Sequence, residues 1–234
     1  MPKRKYIKSD RKYGPSKRRR RQLVRRRRKN YIPRGLFAKT TKMAFNYSDT
    51  ITLDPNSTSN FVYHTFNANS LYNPDHTGVI TDHRAYGFSE YMQFYNHYCV
   101  IACKLKATFV TKVFNNNQIA PVYVGLMQSA GATPDQLDIN TVMETKQSHI
   151  KVSTTTAAPK TITANVNLSK ALGQKVLQED NNSGTVTSSP AEGWFIHLMA
   201  ASNEPTVVNP DPIRVKVDIT YIAILHEPKI IAGS

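Results

Sequence analysis

Cysteine is almost missing from this 234-residue chain: only Cys99 and Cys103 occur, four positions apart and without the companion Cys or His spacing of a zinc site. That excludes a disulfide framework and leaves two buried free thiols as the expectation. Long apolar runs are also missing. None approaches the roughly 18 residues of a membrane-spanning helix, so no membrane insertion is expected. The first residues hold no apolar stretch of the secretory type, and a cytosolic or nuclear setting is expected. The sequons at Asn46, Asn56, Asn167 and Asn181 are accordingly read as ordinary polar positions. The chain has no GxxxxGKS, GxGxxG or HExxH pattern. His76 and His83 have Asp75 and Asp82 beside them but no further catalytic spacing, so no enzyme, no cofactor and no metal are expected.

The most informative shortage is of acids at the start. The first 29 residues contain 16 Lys and Arg against the single acid Asp10, whereas the other 205 residues hold fifteen charges of each sign. The whole net charge of +15 therefore sits in this arm. Such a block cannot fold alone, because it has little to bury and its charges repel. Two runs dominate it: Lys17, Arg18, Arg19, Arg20 and Arg21, then Arg25, Arg26, Arg27, Arg28 and Lys29. Guanidinium forks suit bidentate contact with phosphate oxygens, and counterion release makes such binding sequence-independent and steeply salt-dependent. The arm is read as a nucleic-acid-binding segment spanning residues 1–42, disordered until bound. The same two runs have the composition of a nuclear localisation signal read by an import receptor. Tyr6, Tyr13 and Tyr31 flank them and suit stacking on unpaired bases.

Beyond the arm the hydrophobic period is two. Met43, Phe45, Tyr47, Ile51 and Leu53 alternate with small or polar residues, and Ile213, Val215, Val217, Ile219, Tyr221, Ala223 and Leu225 give the cleanest alternation of all. Cys103, Leu105, Ala107 and Phe109 face one way, with Lys104, Lys106, Thr108 and Lys112 on the other side of the same strand. Phe88, Tyr91, Met92 and Tyr95 have helical spacing, which predicts a short helix over residues 89–96 with Ser89 as its N-cap. Short helical turns are expected near residues 137–143 and 169–172. Residues 67–85, 128–137 and 178–193 read as surface loops and candidate subunit contacts. Trp194 is assigned to the core, within a buried strand that also carries His197. Eight strands result, at about 43–53, 60–66, 98–114, 119–127, 147–153, 160–168, 194–200 and 213–225. No long helices lie between them, so a parallel α/β fold is excluded. The expectation is an all-β, single eight-stranded antiparallel jelly roll over residues 43–234.

Several stretches resemble the capsid proteins of circoviruses and related circular Rep-encoding single-stranded DNA viruses. They are the Arg-rich arm, Leu71-Tyr72-Asn73-Pro74-Asp75 with Thr77-Gly78, Tyr86-Gly87-Phe88, Phe94-Tyr95-Asn96-His97-Tyr98, and Val100-Ile101 leading into a basic strand. The resemblance spans the layout of the chain but is specific only from about residue 71 to 109; the C-terminal half carries no diagnostic residues. It implies a homo-oligomer of sixty copies forming a T=1 icosahedral shell with the arms inside on a circular single-stranded DNA genome. A virion location, a host-nuclear assembly stage and a host cell-surface receptor follow from the same resemblance. It also implies that the first, eighth, third and sixth strands form one sheet whose outer face looks into the particle. Lys104, Lys106, Lys112, Arg214 and Lys216 would then form a DNA-binding patch continuous with Lys39 and Lys42. The competing expectation is a cellular basic-tailed nucleic-acid-binding module, ribosomal or chromatin-like, that forms no shell. The neutral body speaks against it, since dedicated binding domains carry their charge on the domain itself.

Overall fold

The structure, a computed structural model, describes residues 37–55, 60–78, 83–111, 121–134, 138–154, 158–202 and 212–230. Strands β1 (Thr40–Leu53), β2 (Phe61–Asn67), β3 (Tyr95–Thr111), β4 (Val122–Ser129), β5 (Ser148–Ser153), β6 (Lys160–Asn167), β7 (Phe195–Ser202) and β8 (Ile213–Pro228) form two antiparallel sheets. One sheet runs β1-β8-β3-β6 and the other β2-β7-β4-β5, which is the expected jelly roll, the first sheet holding the four strands expected of it. Among the described residues there are three short α-helices, α1 (Phe88–Tyr91), α2 (Ile139–Glu144) and α3 (Leu168–Ala171), and two 3-10 turns at Val176–Gln178 and Asp180–Asn182.

Alternation builds the core. Phe45, Tyr47, Ile51 and Leu53 of β1, Cys103, Leu105, Ala107 and Phe109 of β3, and Ile213 to Leu225 at every second position of β8 are buried against Phe66, Val124, Leu126, Ile196 and Leu198 of the other sheet. Both cysteines are buried free thiols, and burial pushes Cys99 up to about 11 and Cys103 higher still, which keeps both protonated and unreactive. A β-bulge between Val100 and Ala102 inserts Ile101. The core-facing parity of β3 therefore switches from Tyr98 and Val100 to Cys103 and Leu105.

Several boundaries differ from the sequence reading. The helix expected at residues 89–96 is only Phe88–Tyr91, and Ser89 is not its cap: Gly87, at φ 78, holds that position with no side-chain hydrogen bond. The helix stops early because Tyr95, His97 and Tyr98 pair with Pro228, His226 and Leu225, so strand pairing overrides the helical spacing. The same long β8 lets β1 begin at Thr40, with Thr40, Thr41 and Lys42 opposite His226, Leu225 and Ile224. Trp194 is buried as expected but precedes β7 rather than belonging to it. α2 starts two residues late, where Asp138 accepts from the Thr141 N–H as N-cap.

Two expected surface loops prove to be structural. In residues 67–78, Ala68, Asn69, Ser70, Leu71 and Asp75 are buried; residues 178–193 are mostly exposed, but Asn182, Gly184 and Pro190 are buried. They are latched together: Ala68 donates to Trp194 O (2.7 Å), Asn69 Nδ2 to Glu192 O (2.6 Å), and Trp194 N–H to Asn69 Oδ1 (3.2 Å). Tyr98, pushed up to about 12 by burial, reaches between them, its hydroxyl 3.4 Å from Ser70 Oγ and from Ser188 O. Gly184 is required there, since a Cβ on it would lie 2.4 Å from the Tyr98 ring. Buried backbone must find partners, and these loops supply them for each other. Composition marks them as polar and turn-rich; it does not tell which polar groups face inward.

Candidate nucleic-acid interface

Lysine and arginine at alternate positions of β3 and β8 must project away from the core, because the intervening residues are buried. Lys104, Lys106, Arg214 and Lys216 are all exposed on the outer face of the β1-β8-β3-β6 sheet. Register brings these four together. Lys104 stands opposite Thr220, Lys106 opposite Asp218, Thr108 opposite Lys216, and Val110 opposite Arg214. Residues two apart along a strand are separated by roughly 6.7 Å, and diagonal cross-strand neighbours by roughly 7 to 8 Å, so the four cations form a stripe about one strand wide on each of two strands.

Asp218 lies inside this stripe. It pairs with Lys216 (Nζ to Oδ2, 3.2 Å) and accepts from Ser48 Oγ (2.9 Å). An exposed pair of this kind contributes little, about 0 to 1 kcal/mol, so it fixes the position of Lys216 without removing the positive field of Lys104, Lys106 and Arg214. Lys42, by contrast, does not join the stripe. It is exposed on β1 opposite Ile224, four residues along β8 from the partner of Lys104, or roughly 13 Å. Ala44 and Ile222 occupy the row between. Lys112 and the ten arm residues from Lys17 to Lys29 lie outside the described residues.

Uncharged polar residues make up much of the rest of the face: Asn46, Thr50 and Thr52 of β1, Thr161, Thr163, Asn165 and Asn167 of β6, and Thr220 of β8 are exposed. The sequence reading names the charges but not the Asn and Thr partners from β6, whose alternation marks them as outward without saying what stands beside them. Pairing places Asn165 next to Lys104 and Thr163 next to Lys106.

The histidines make structural arrangements. His64 Nε2 lies 2.7 Å from Asp75 Oδ1. Burial works to raise the Asp75 pKa, but the hydrogen bonds from His64 and the Gly78 N–H hold it below the usual carboxylate value. This pair ties the loop after β2 to that strand. His197 is fully buried between Thr65 Oγ1 (2.9 Å from Nδ1) and Ser129 Oγ (2.8 Å from Nε2). Ser129 spends its hydroxyl proton on Gly131 O (2.9 Å), so Nε2 must donate to Ser129 rather than accept from it. That wiring is the reverse of a base activating a serine. No group of three or more His, Cys, Asp or Glu side chains able to hold a metal ion occurs among the described residues.

No protein-family model matches the chain, and no curated protein matches it. Solved structures similar in chain trace include that titled Desmodium yellow mottle tymovirus, at 14% identity over 86% of this chain and 96% of that one, with a TM-score of 0.43. A semi-empty virus-like particle of the prawn Macrobrachium rosenbergii nodavirus matches at 15% identity, 85% and 100% coverage and a TM-score of 0.42. The 60-mer BFDV capsid protein matches at 10% identity, 85% and 100% coverage and a TM-score of 0.42. At these values the likeness carries no functional weight.

Proposed function

We propose that this chain is a viral capsid protein that self-assembles into a small icosahedral shell and packages circular single-stranded DNA through its Arg-rich arm. The observation that carries this reading is the division of charge: +15 in 29 residues of arm, and a neutral body built as a jelly roll. A neutral sandwich can pack against its own copies without charge repulsion, while the arm neutralises the genome by counterion release. The resemblance of residues 71–109 to circovirus capsid proteins points the same way and supplies the T=1, sixty-copy geometry. On this reading the role is structural, not catalytic. The arm is taken as residues 1–42 and the shell domain as residues 43–234, with β1 starting at Thr40. Lys17 to Arg21 and Arg25 to Lys29 bind DNA and serve as the nuclear localisation signal, so that the protein passes through the host nucleus before residing in the virion. Lys104, Lys106, Arg214 and Lys216 form a secondary DNA-binding face, with Lys42 and Lys112 as outlying contributors.

The test is particle size and nucleic-acid content of the purified protein, by light scattering, negative-stain microscopy and absorbance. Uniform closed particles of about sixty subunits that carry DNA are expected. Removing residues 1–29 should leave the body folded and abolish DNA retention. A monomer or small oligomer in the presence of single-stranded DNA, or an armless protein that still packages it at physiological salt, overturns the proposal.

A further inference from the structure

The outer face of the β1-β8-β3-β6 sheet is not flat. Two rows run across it in register: Ile222, Ala102 and Asn167, then Thr220, Lys104 and Asn165. Ala102 follows the bulge and offers only a methyl group between the larger Ile222 and Asn167, which leaves a depression of about 420 Å³ lined by these six residues together with Cys103 and Val166. Its floor is apolar, from Ala102 and Ile222, on a face whose other outward side chains are mostly Lys, Thr, Ser and Asn. Farther along β3, the carbonyl of Val176, in the turn following α3, lies 3.6 Å from Cys99 Sγ.

The rim carries unused hydrogen-bonding capacity. The Asn165 carboxamide has no hydrogen-bond partner among the described residues, and Lys104 belongs to none of their ion pairs. Asn167 uses only its Oδ1, which accepts from the Lys170 N–H (3.2 Å), so its NH₂ is free. Thr220 is fixed by donating to Asn46 Oδ1 (3.0 Å). An apolar floor, two carboxamides and one ammonium together match a planar heterocycle with donors and acceptors at its edge and a phosphate beside it. Size agrees, since a cavity of roughly 150 Å³ already admits benzene. Carboxamides pair with exposed base edges, and lysine meets phosphate as a point charge.

We infer that this depression seats one unpaired nucleobase of the packaged strand, with its edge on Asn165 and Asn167 and its phosphate on Lys104. The inference rests on the DNA-packaging reading and adds a base contact to what is otherwise phosphate binding. The positive stripe of Lys104, Lys106, Arg214 and Lys216 that continues from the rim selects a polyanion, rather than an apolar peptide, as the occupant.

The test compares two single strands of equal length and charge, one with bases and one abasic, binding to the full chain at about 0.3 M salt, where the phosphate contribution is weakened. The base-bearing strand should bind about fivefold tighter, the scale of one or two net hydrogen bonds. Asn165→Ala, an exposed change on an edge strand, and Ala102→Leu, which fills the depression, should each bring the two strands toward parity. Lys104→Gln should weaken both strands by the same factor. Equal binding of the two strands by the unaltered chain overturns the seat and leaves arm-driven packaging standing. A preference that survives both Asn165→Ala and Ala102→Leu locates base contact elsewhere and also overturns it. So does a change in particle size instead of base preference, which would make this face a contact between copies. Failure to bind either strand overturns the packaging reading itself, and the seat with it.

Discussion

The two sheets share one core but differ on their outer faces. In β2-β7-β4-β5 the middle of the outer face is covered: Met127, Met199 and Ala201 pack under Ile139 and Val142 of α2, with Tyr63, Tyr123 and Ile150 around them. All eight residues of β7 are buried as a result. In β1-β8-β3-β6 much of the outer face is open, and β8 alternates between buried apolar residues and exposed Arg214, Lys216 and Thr220. A strand covered on both sides reads as a continuous apolar run, and a strand covered on one side reads as an alternation. The sequence FIHLMAAS against IRVKVDITYIAIL is that difference written out. The open face is the one free to carry a charge pattern and a ligand.

Breaking the covered face should cost most. Met199→Ala removes a fully buried side chain beneath α2 and should cost about 2 to 5 kcal/mol in urea unfolding, whereas Thr220→Ala on the open face should stay within about 0.5 kcal/mol. Equal losses would mean the two faces are not distinguished by burial at all. The latch between the loops comes next. Asn69→Ala orphans the Trp194 N–H and the Glu192 carbonyl and should cost about 1 to 3 kcal/mol, which would show that these loops belong to the fold rather than decorate it. No loss would return them to the surface.

The smallest effect is acid-linked and belongs to the end of the open sheet. His226 is stacked on His97 at 5.5 Å, with Glu227 and Asp180 nearby and its Nε2 3.2 Å from Ser183 Oγ. Burial first, and the neighbouring His97 second, lower its pKa from the usual 6.5, with Glu227 and Asp180 opposing. The unfolded chain then binds the proton more readily than the folded one. The stability this neutral ring confers is complete above pH 6.5 and is lost as pH falls toward the depressed value. His226→Gln should therefore flatten the decline in unfolding free energy just below pH 6.5, and an unchanged slope would show that the ring does not sense the fold.

Legibility followed the same division. The period-two residues of β1, β3 and β8 were readable because each position is decided by a single contrast, core against solvent. For that reason Lys104 and Lys106 could be assigned to the outward side of β3, and Arg214 and Lys216 to the outward side of β8; that these two strands are neighbours was not contained in the alternation. The helix ending at Tyr91 rather than Asn96 was not readable. Phe88, Tyr91, Met92 and Tyr95 satisfy a helical period, and only the reach of β8 to Pro228 pulls Tyr95 into a strand. Nor was the latch between the loops at residues 67–78 and 178–193, where buried Asn69 bonds to Glu192 and Trp194 across more than a hundred residues. The bulge at Ile101 left no mark in the residue types, yet it shapes the depression around Ala102.

What the sequence determined by itself is local or additive: the arm's charge, which needs no fold to attract a polyanion, and the strand faces, which follow from alternation. What only the tertiary structure decided is which side chains from distant strands become neighbours. Asn165 and Asn167 stand beside Lys104 and Ala102 because β6 pairs with β3, and Ile222 and Thr220 complete the rim because β8 pairs on the other side. Register is a relation between strands far apart in the chain. It is set by the turns, the bulge and the shared core together, and no single stretch of residues contains it.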